Sequence, residues 1–174
     1  RMALDGWESR VCARCLSGLR PPPAPLCQRC GLPLGSRPPR TDLCEECRAW
    51  PPILQHARSA TVLEAPADRL VHALKYGGWK ALGTLMGERM ARVPLPAGGA
   101  GPPSVVVPVP TTRTRRRRRG YNQAAVLARA VGAASERPVA RALVRRSGGR
   151  TQVALQPMER GHNVLRAFSV REDE

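Results

Sequence analysis

Six cysteines fall in three Cys-x-x-Cys pairs within the first 47 residues: Cys12/Cys15, Cys27/Cys30 and Cys44/Cys47. This spacing constrains the fold more than any other feature. Two thiolates three positions apart sit on one tight turn and face one metal ion. Two such turns complete the four-sulfur tetrahedron of structural zinc. The intervals are 11 residues (16–26) and 13 residues (31–43), close to ribbon spacing. Gly31, directly after the second pair, suits a knuckle in which a residue at positive φ turns amides toward the sulfurs. Zinc also explains how some ~40 residues with almost no apolar core fold, since metal supplies about 10–16 kcal/mol in zinc-finger peptides. Disulfides or a redox dithiol are the competing chemistry. A redox pair is usually solitary and opens a helix near a strand, which three serial pairs do not match.

Three pairs do not divide into four-ligand sites. We pair Cys27/Cys30 with Cys44/Cys47. Cys12/Cys15 is then either free or half of a first ribbon whose other half precedes Arg1. The opening residue, Arg1 rather than Met, agrees with a chain that begins inside a longer one. Residues 1–52 form the expected zinc-ribbon module and residues 53–174 an α/β domain.

In that second part, 67–76 reads as a helix with Leu70, Val71 and Leu74 on one stripe, Pro66 in its first turn and Gly77-Gly78 ending it. His72 carries no assigned role. Residues 79–92 read as a second helix with Leu82, Leu85, Met86 and Met90 inward. Hydrophobic residues make up 42% and aromatics 3%, so the core is aliphatic. A Pro/Gly/Ala connection, 94–103, leads to Ser104–Val109, an apolar β-branched run that predicts a buried strand of a parallel sheet, with Pro108 and Pro110 ending its ladder. The loop 111–120 follows. Then 121–133 predicts a helix offering Ala125, Leu127, Ala128 and Val131 to the sheet. Residues 139–146 predict a second strand, 147–151 a flexible loop, 157–166 a helix and 167–170 a further strand.

The loop 111–120 holds six arginines in seven positions, Arg113 and Arg115 to Arg119. Arginine makes forked hydrogen bonds to phosphate oxygens. A helix N-terminus beside it adds amides and a positive dipole end. Ligands of open α/β sheets bind at the carboxyl ends of strands, where this loop lies. A solvated basic loop or a nucleic-acid patch is the alternative. The formal charge of +16 favours polyanionic partners: nucleic acid, phosphorylated metabolites or anionic membrane. No apolar run approaches the ~20 residues of a membrane span, and no secretory pattern is present. The expected compartment is the cytoplasm.

Three stretches resemble the ComF family, phosphoribosyltransferase-like proteins linked to DNA uptake in competent bacteria. They are the serial Cys pairs with Cys27-Gln-Arg-Cys30-Gly31-Leu32-Pro33, then Leu74-Lys75-Tyr76-Gly77-Gly78, then Val107-Pro-Val-Pro110 followed by Arg119-Gly-Tyr-Asn-Gln123. Arg146, Thr151, Gln152, Leu155, Arg160, Asn163, Ala167 and Phe168 extend the likeness. The match covers nearly the whole chain from Cys12.

The resemblance implies a four-cysteine zinc ribbon followed by a type I phosphoribosyltransferase-like domain, Rossmann-like with a parallel sheet, incomplete at its C-terminal end. It implies a pyrophosphate loop after Val109 and a lid over 147–156. The ligand implied is phosphoribosyl pyrophosphate with Mg2+, or a related nucleotide. The residues implied to bind it are Arg113, Arg116, Arg119, Gly120, Tyr121, Asn122 and Gln123, with Lys75 and Arg160. Zinc would be structural and held by the six cysteines. Two departures stand out. The family usually carries four Cys pairs, and its acidic Asp-Asp-x-x-Thr-Thr-Gly loop is absent from these 174 residues. No catalytic residue is named for that reason. The competing reading is a non-catalytic adaptor that binds single-stranded DNA or a DNA-uptake partner such as a helicase. A redox role for Cys12 and Cys15 is a third.

Overall fold

A computed structural model describes residues 11–36, 42–49, 55–94, 105–146 and 167–171. Arg160, the 147–156 lid, the 157–166 helix and the 95–103 part of the connection lie outside the described residues. The described elements are helices α1 (Ala13–Ser17), α2 (Glu45–Ala49), α3 (Ala67–Tyr76), α4 (Leu82–Ala91), α5 (Arg113–Arg119) and α6 (Gln123–Ala134), and strands β1 (Leu143–Arg145) and β2 (Phe168–Val170).

The main core is aliphatic. Leu70 and Leu74 of α3, Leu82 and Leu85 of α4, and Tyr121 before α6 are buried together. Val11 and Leu19, which flank α1, join them, with Cys15, Leu16, Val126 and Leu127 packed alongside. The segment holding the first cysteine pair is therefore fastened to the helical core. Two hydrogen bonds reinforce this: Arg89 of α4 donates to the Leu19 carbonyl at 2.9 Å, and the Val62 amide to the Arg20 carbonyl at 2.9 Å.

α3 occupies the range its apolar stripe predicts, and Gly77 closes it by donating to the Ala73 carbonyl at 2.9 Å. α4 begins three residues later than position 79. Residues 79–81 instead form tight turns that accept from the amides of Leu82, Gly83 and Thr84. Met90, expected inward, is 43% exposed, because the core ends near Met86 and the last turn of α4 projects past it.

α6 packs chiefly on α4, not on a sheet as its apolar face suggested. Gly83 and Gly87 make this possible. A Cβ on Gly83 would overlap Val126 Cγ1, and one on Gly87 would overlap Ala130 Cβ. Two bare turns of α4 thus form the groove into which α6 settles.

The sheet also differs from expectation. The 105–110 segment is extended but makes a single parallel bridge, Val106 to Val139, not a strand. Pro108 and Pro110 have no amide to donate, so the ladder stops there. β1 and β2 pair antiparallel, Leu143 opposite Val170 and Arg145 opposite Phe168. The parallel relation is limited to that one bridge among the described residues. The expected loop 111–120 is largely the helix α5. Thr112 caps it by accepting from the Arg115 amide at 3.2 Å, and Gly120 ends it at φ +77.

Candidate metal centre and anion cleft

Cys27, Cys30, Cys44 and Cys47 converge, their sulfurs all within 4.8 Å of one another. The Cys27–Cys30 turn is a knuckle closed by the Gly31 amide donating to the Cys27 carbonyl at 2.9 Å. Gly31 has φ +71, and a Cβ there would meet the Ala57 carbonyl oxygen at 2.8 Å. Either fact alone favours glycine. A short hairpin continues the knuckle, with Leu26 bridged to Pro33. Cys44 precedes α2 and Cys47 lies one turn into it. The Cys44 amide donates to Cys27 Sγ at 3.3 Å, and Arg29 donates to the Cys47 carbonyl at 2.7 Å. Residues 56–58 buttress the knuckle from behind: the Ala57 amide donates to the Arg29 carbonyl at 2.6 Å and Arg58 to the Gln28 carbonyl at 2.8 Å.

The donor set suits structural zinc. Tetrahedral Zn–S bonds of about 2.3 Å place sulfurs about 3.8 Å apart, and Cys30 Sγ and Cys44 Sγ are 3.6 Å apart. None of the six cysteines is joined in a disulfide. The four differ in acidity. Burial opposes ionisation of Cys27, but amide hydrogen bonds led by Cys30 and Cys44 outweigh it and bring its thiol down to about 6. Burial, with neighbouring sulfurs, pushes Cys47 up to about 12, and burial also raises Cys44. Four thiolates cannot share so small a volume without a cation to compensate them.

Cys12 and Cys15 stand apart from this cluster. Cys12 is exposed at the start of α1 and Cys15 is half-buried against the helical core. The Cys15 amide and thiol draw Cys12 below the ordinary thiol value, while hydrogen bonding to Cys12 raises Cys15. Among the described residues no third or fourth ligand joins them.

A second site lies between α5, α6 and the β1–β2 pair. It is a cleft of about 230 Å3 lined in part by four exposed arginines from four segments: Arg116 of α5, Arg129 of α6, Arg141 before β1 and Arg171 after β2. Pro108 and Pro110 wall it, and Gly120, Tyr121 and Asn122 carry the chain past it into the first turn of α6. No carboxylate is among its described lining residues. Asn122 organises this end. Its Oδ1 accepts from the Ala124 amide at 3.2 Å and its Nδ2 donates to the Val109 carbonyl at 3.1 Å, tying the α6 cap to the extended segment. Guanidinium forks and a helix N-terminus together favour a phosphate or diphosphate group. At about 30 Å3 per water the cleft holds several waters, room enough for such a group.

The residues singled out from sequence divide by position. Arg116, Gly120, Tyr121 and Asn122 line the cleft. Tyr121 is also an anchor: it is buried, and its phenol donates to the Leu74 carbonyl. Burial raises its pKa, with Arg119 opposing. Arg119 and Gln123 bind each other, Arg119 donating to Gln123 Oε1 at 3.0 Å, and the Arg119 guanidinium lies 4.9 Å over the Tyr76 ring. Neither lines the cleft, nor do Arg113 and Lys75. Sequence reasoning missed Arg129, Arg141 and Arg171. Arg129 was detectable in principle, since Asn122, Ala125 and Arg129 follow one helical face. Arg141 and Arg171 meet only through the β1–β2 register, where the Arg171 amide donates to the Ala142 carbonyl at 2.8 Å.

No protein-family model, curated protein or solved structure matches the chain. The ComF resemblance therefore rests on the quoted motifs alone.

Proposed function

We propose that this chain binds a phosphorylated ribose compound, phosphoribosyl pyrophosphate or a related nucleotide, in the arginine cleft, and that zinc at Cys27, Cys30, Cys44 and Cys47 is structural. The gathering of Arg116, Arg129 and Arg141 along a cleft at the start of α6, with no carboxylate among its described lining residues, carries this reading. The ComF-like motifs support it, because Pro108, Pro110, Gly120, Tyr121 and Asn122 surround that cleft. The described lining offers no acidic ligand for Mg2+, so the ion would arrive on the oxygens of the diphosphate. In a transfer reaction the arginines would neutralise the charge growing on departing pyrophosphate. A place in DNA uptake or in nucleotide metabolism follows from the same resemblance.

Calorimetric titration of the zinc-loaded protein with pyrophosphate and with phosphoribosyl pyrophosphate plus Mg2+ tests this. Charge-assisted hydrogen bonds contribute about 1.5–3 kcal/mol each, so Arg129→Ala and Arg141→Ala are each expected to weaken binding by about tenfold or more. No heat of binding in folded, zinc-replete protein, or affinity indifferent to both substitutions, would overturn the proposal.

A further inference from the structure

Arg119 ends α5 between two residues of the cleft wall. Arg116 lies one turn earlier on the same helical face, and Gly120 follows directly. Arg119 itself does not line the cleft. Two contacts hold it aside. Its Nη1 donates to Gln123 Oε1 at 3.0 Å, and its guanidinium lies 4.9 Å from the centre of the Tyr76 ring. The two holding groups come from different elements, Gln123 from the first turn of α6 and Tyr76 from the last turn of α3. The imidazole of His72 packs 4.8 Å from the Tyr76 ring and helps to place it.

Neither holding group carries a charge. An amide oxygen and an aromatic face are weak partners for a guanidinium compared with a phosphate, whose charge-assisted hydrogen bonds are about twice as strong as neutral ones. The way toward the cleft is open. No described atom lies within 4 Å of where a Gly120 Cβ would sit. The guanidinium is also close enough to the phenol of Tyr121, which lines the cleft, to oppose the rise in its pKa. A change of side-chain rotamer needs no movement of the backbone. We propose that Arg119 is a reserve anion ligand: Gln123 and Tyr76 are positioning residues that hold it beside the cleft, and a diphosphate draws it in by replacing two neutral contacts with charged ones. This rests on the diphosphate reading of the cleft given above. It also changes the part of Gln123, whose amide oxygen serves the arginine and not the ligand. The ligand must displace both contacts, so removing either one should tighten binding.

The test is calorimetric titration of the full, zinc-loaded chain with pyrophosphate. Gln123→Ala is expected to tighten binding by about 2- to 10-fold, and Tyr76→Leu by about 2- to 5-fold. Tyr76→Phe keeps the aromatic face and should bind like the parent. Either gain should vanish when Arg119→Ala is added, because the restrained group is then gone, and a double-mutant cycle reads that coupling. Damage to the fold would weaken binding, so a gain separates this role from a merely structural one. Weaker binding in Gln123→Ala would put the amide on the ligand and overturn the proposal. So would a gain that survives the loss of Arg119. Pyrophosphate binding that neither Gln123→Ala nor Tyr76→Leu changes would overturn the restraint alone, whereas no binding in the parent or in any variant would overturn the diphosphate reading with it.

Discussion

Replacing Gly87 with alanine is expected to destabilise the protein even though alanine is the better helix former. The new methyl would overlap Ala130 Cβ and sit 3.0 Å from the Leu127 carbonyl oxygen and 3.2 Å from the Val131 amide nitrogen. Carbon–carbon contacts settle near about 3.5–4.0 Å. Ala130 has no rotamer to change, and the other two atoms are backbone. The only relief is to move α6 away from α4 by about 1 Å. Overpacking of this kind costs about 1–3 kcal/mol, and the gain in helix propensity returns about 1 kcal/mol. Given the rigid neighbours, a net loss of about 1–2 kcal/mol is expected. For a chain of this size that lowers the melting temperature by about 2–8 °C. Thermal unfolding of zinc-loaded protein by circular dichroism reads it. Ala130→Gly in the same chain removes the shortest contact, so the double variant should recover part of the loss, a coupling that a double-mutant cycle isolates. Because Arg129 neighbours Ala130, the displaced helix should also weaken pyrophosphate binding. A Gly87→Ala protein as stable as the parent, or about 1 kcal/mol more stable as propensity alone dictates, would refute the close α4–α6 seam.

Further outcomes follow from the described contacts. Cys44→Ser should lose bound zinc by elemental analysis, whereas Cys12→Ser/Cys15→Ser should keep the ion held by the other four. In the metal-free cluster Cys27, near 6, is already ionised at neutral pH while Cys47, near 12, and the raised Cys44 hold protons. Zinc uptake should therefore release protons and weaken as pH falls, as calorimetry in buffers of different ionisation heat will register. Tyr121→Phe removes the hydrogen bond to the Leu74 carbonyl and should cost about 0.5–1.5 kcal/mol. The folded pKa of Tyr121 is raised, so its contribution is complete below the ordinary phenol value and is lost as pH rises through the folded one. The substitution should flatten that alkaline limb in denaturant titrations. Asn122→Ala deletes the α6 cap and the tie to Val109, with an expected loss of about 0.5–2 kcal/mol in the same measurement.

The sequence makes some of this plain for identifiable reasons. α3 is legible because Leu70 and Leu74 form a stripe bounded by Pro66 and Gly77, signals that lie within the helix itself. The cluster of Cys27, Cys30, Cys44 and Cys47 is legible because ligand spacing and Gly31 encode a knuckle locally. α5 escapes a pattern reading because an arginine run has no apolar period, although Thr112 and Gly120 bracket it with a cap and a stop. The 104–109 run reads too strongly as a strand because its valines outweigh Pro108 and Pro110, whose missing amides limit it to one bridge. The antiparallel β1–β2 register, and with it the meeting of Arg141 and Arg171, is a long-range result that no local pattern announces. Gly83 and Gly87 look like weak points in a helix until α6 lies against them.

The energetics of α5 join the fold to the proposed chemistry. No Asp or Glu lies within the helix among its six arginines. Arg113 faces Arg116 and Arg117, Arg115 faces Arg118 and Arg119, and Arg116 faces Arg119 at helical spacing. Each such like-charge pair costs about 0.2–0.5 kcal/mol, so the helix carries an internal repulsion of about 1–2.5 kcal/mol. The Thr112 cap contributes about 1 kcal/mol against it, and the Arg119–Tyr76 stack about 0.5–1 kcal/mol. The two sides nearly balance. In such a helix, held by caps at both ends, a bound anion of the kind proposed above would add stability. Phosphate at Arg116, or along the outer face of the helix, would remove repulsion as it bound. Part of the binding free energy would then come from relief of strain already present in the unliganded helix.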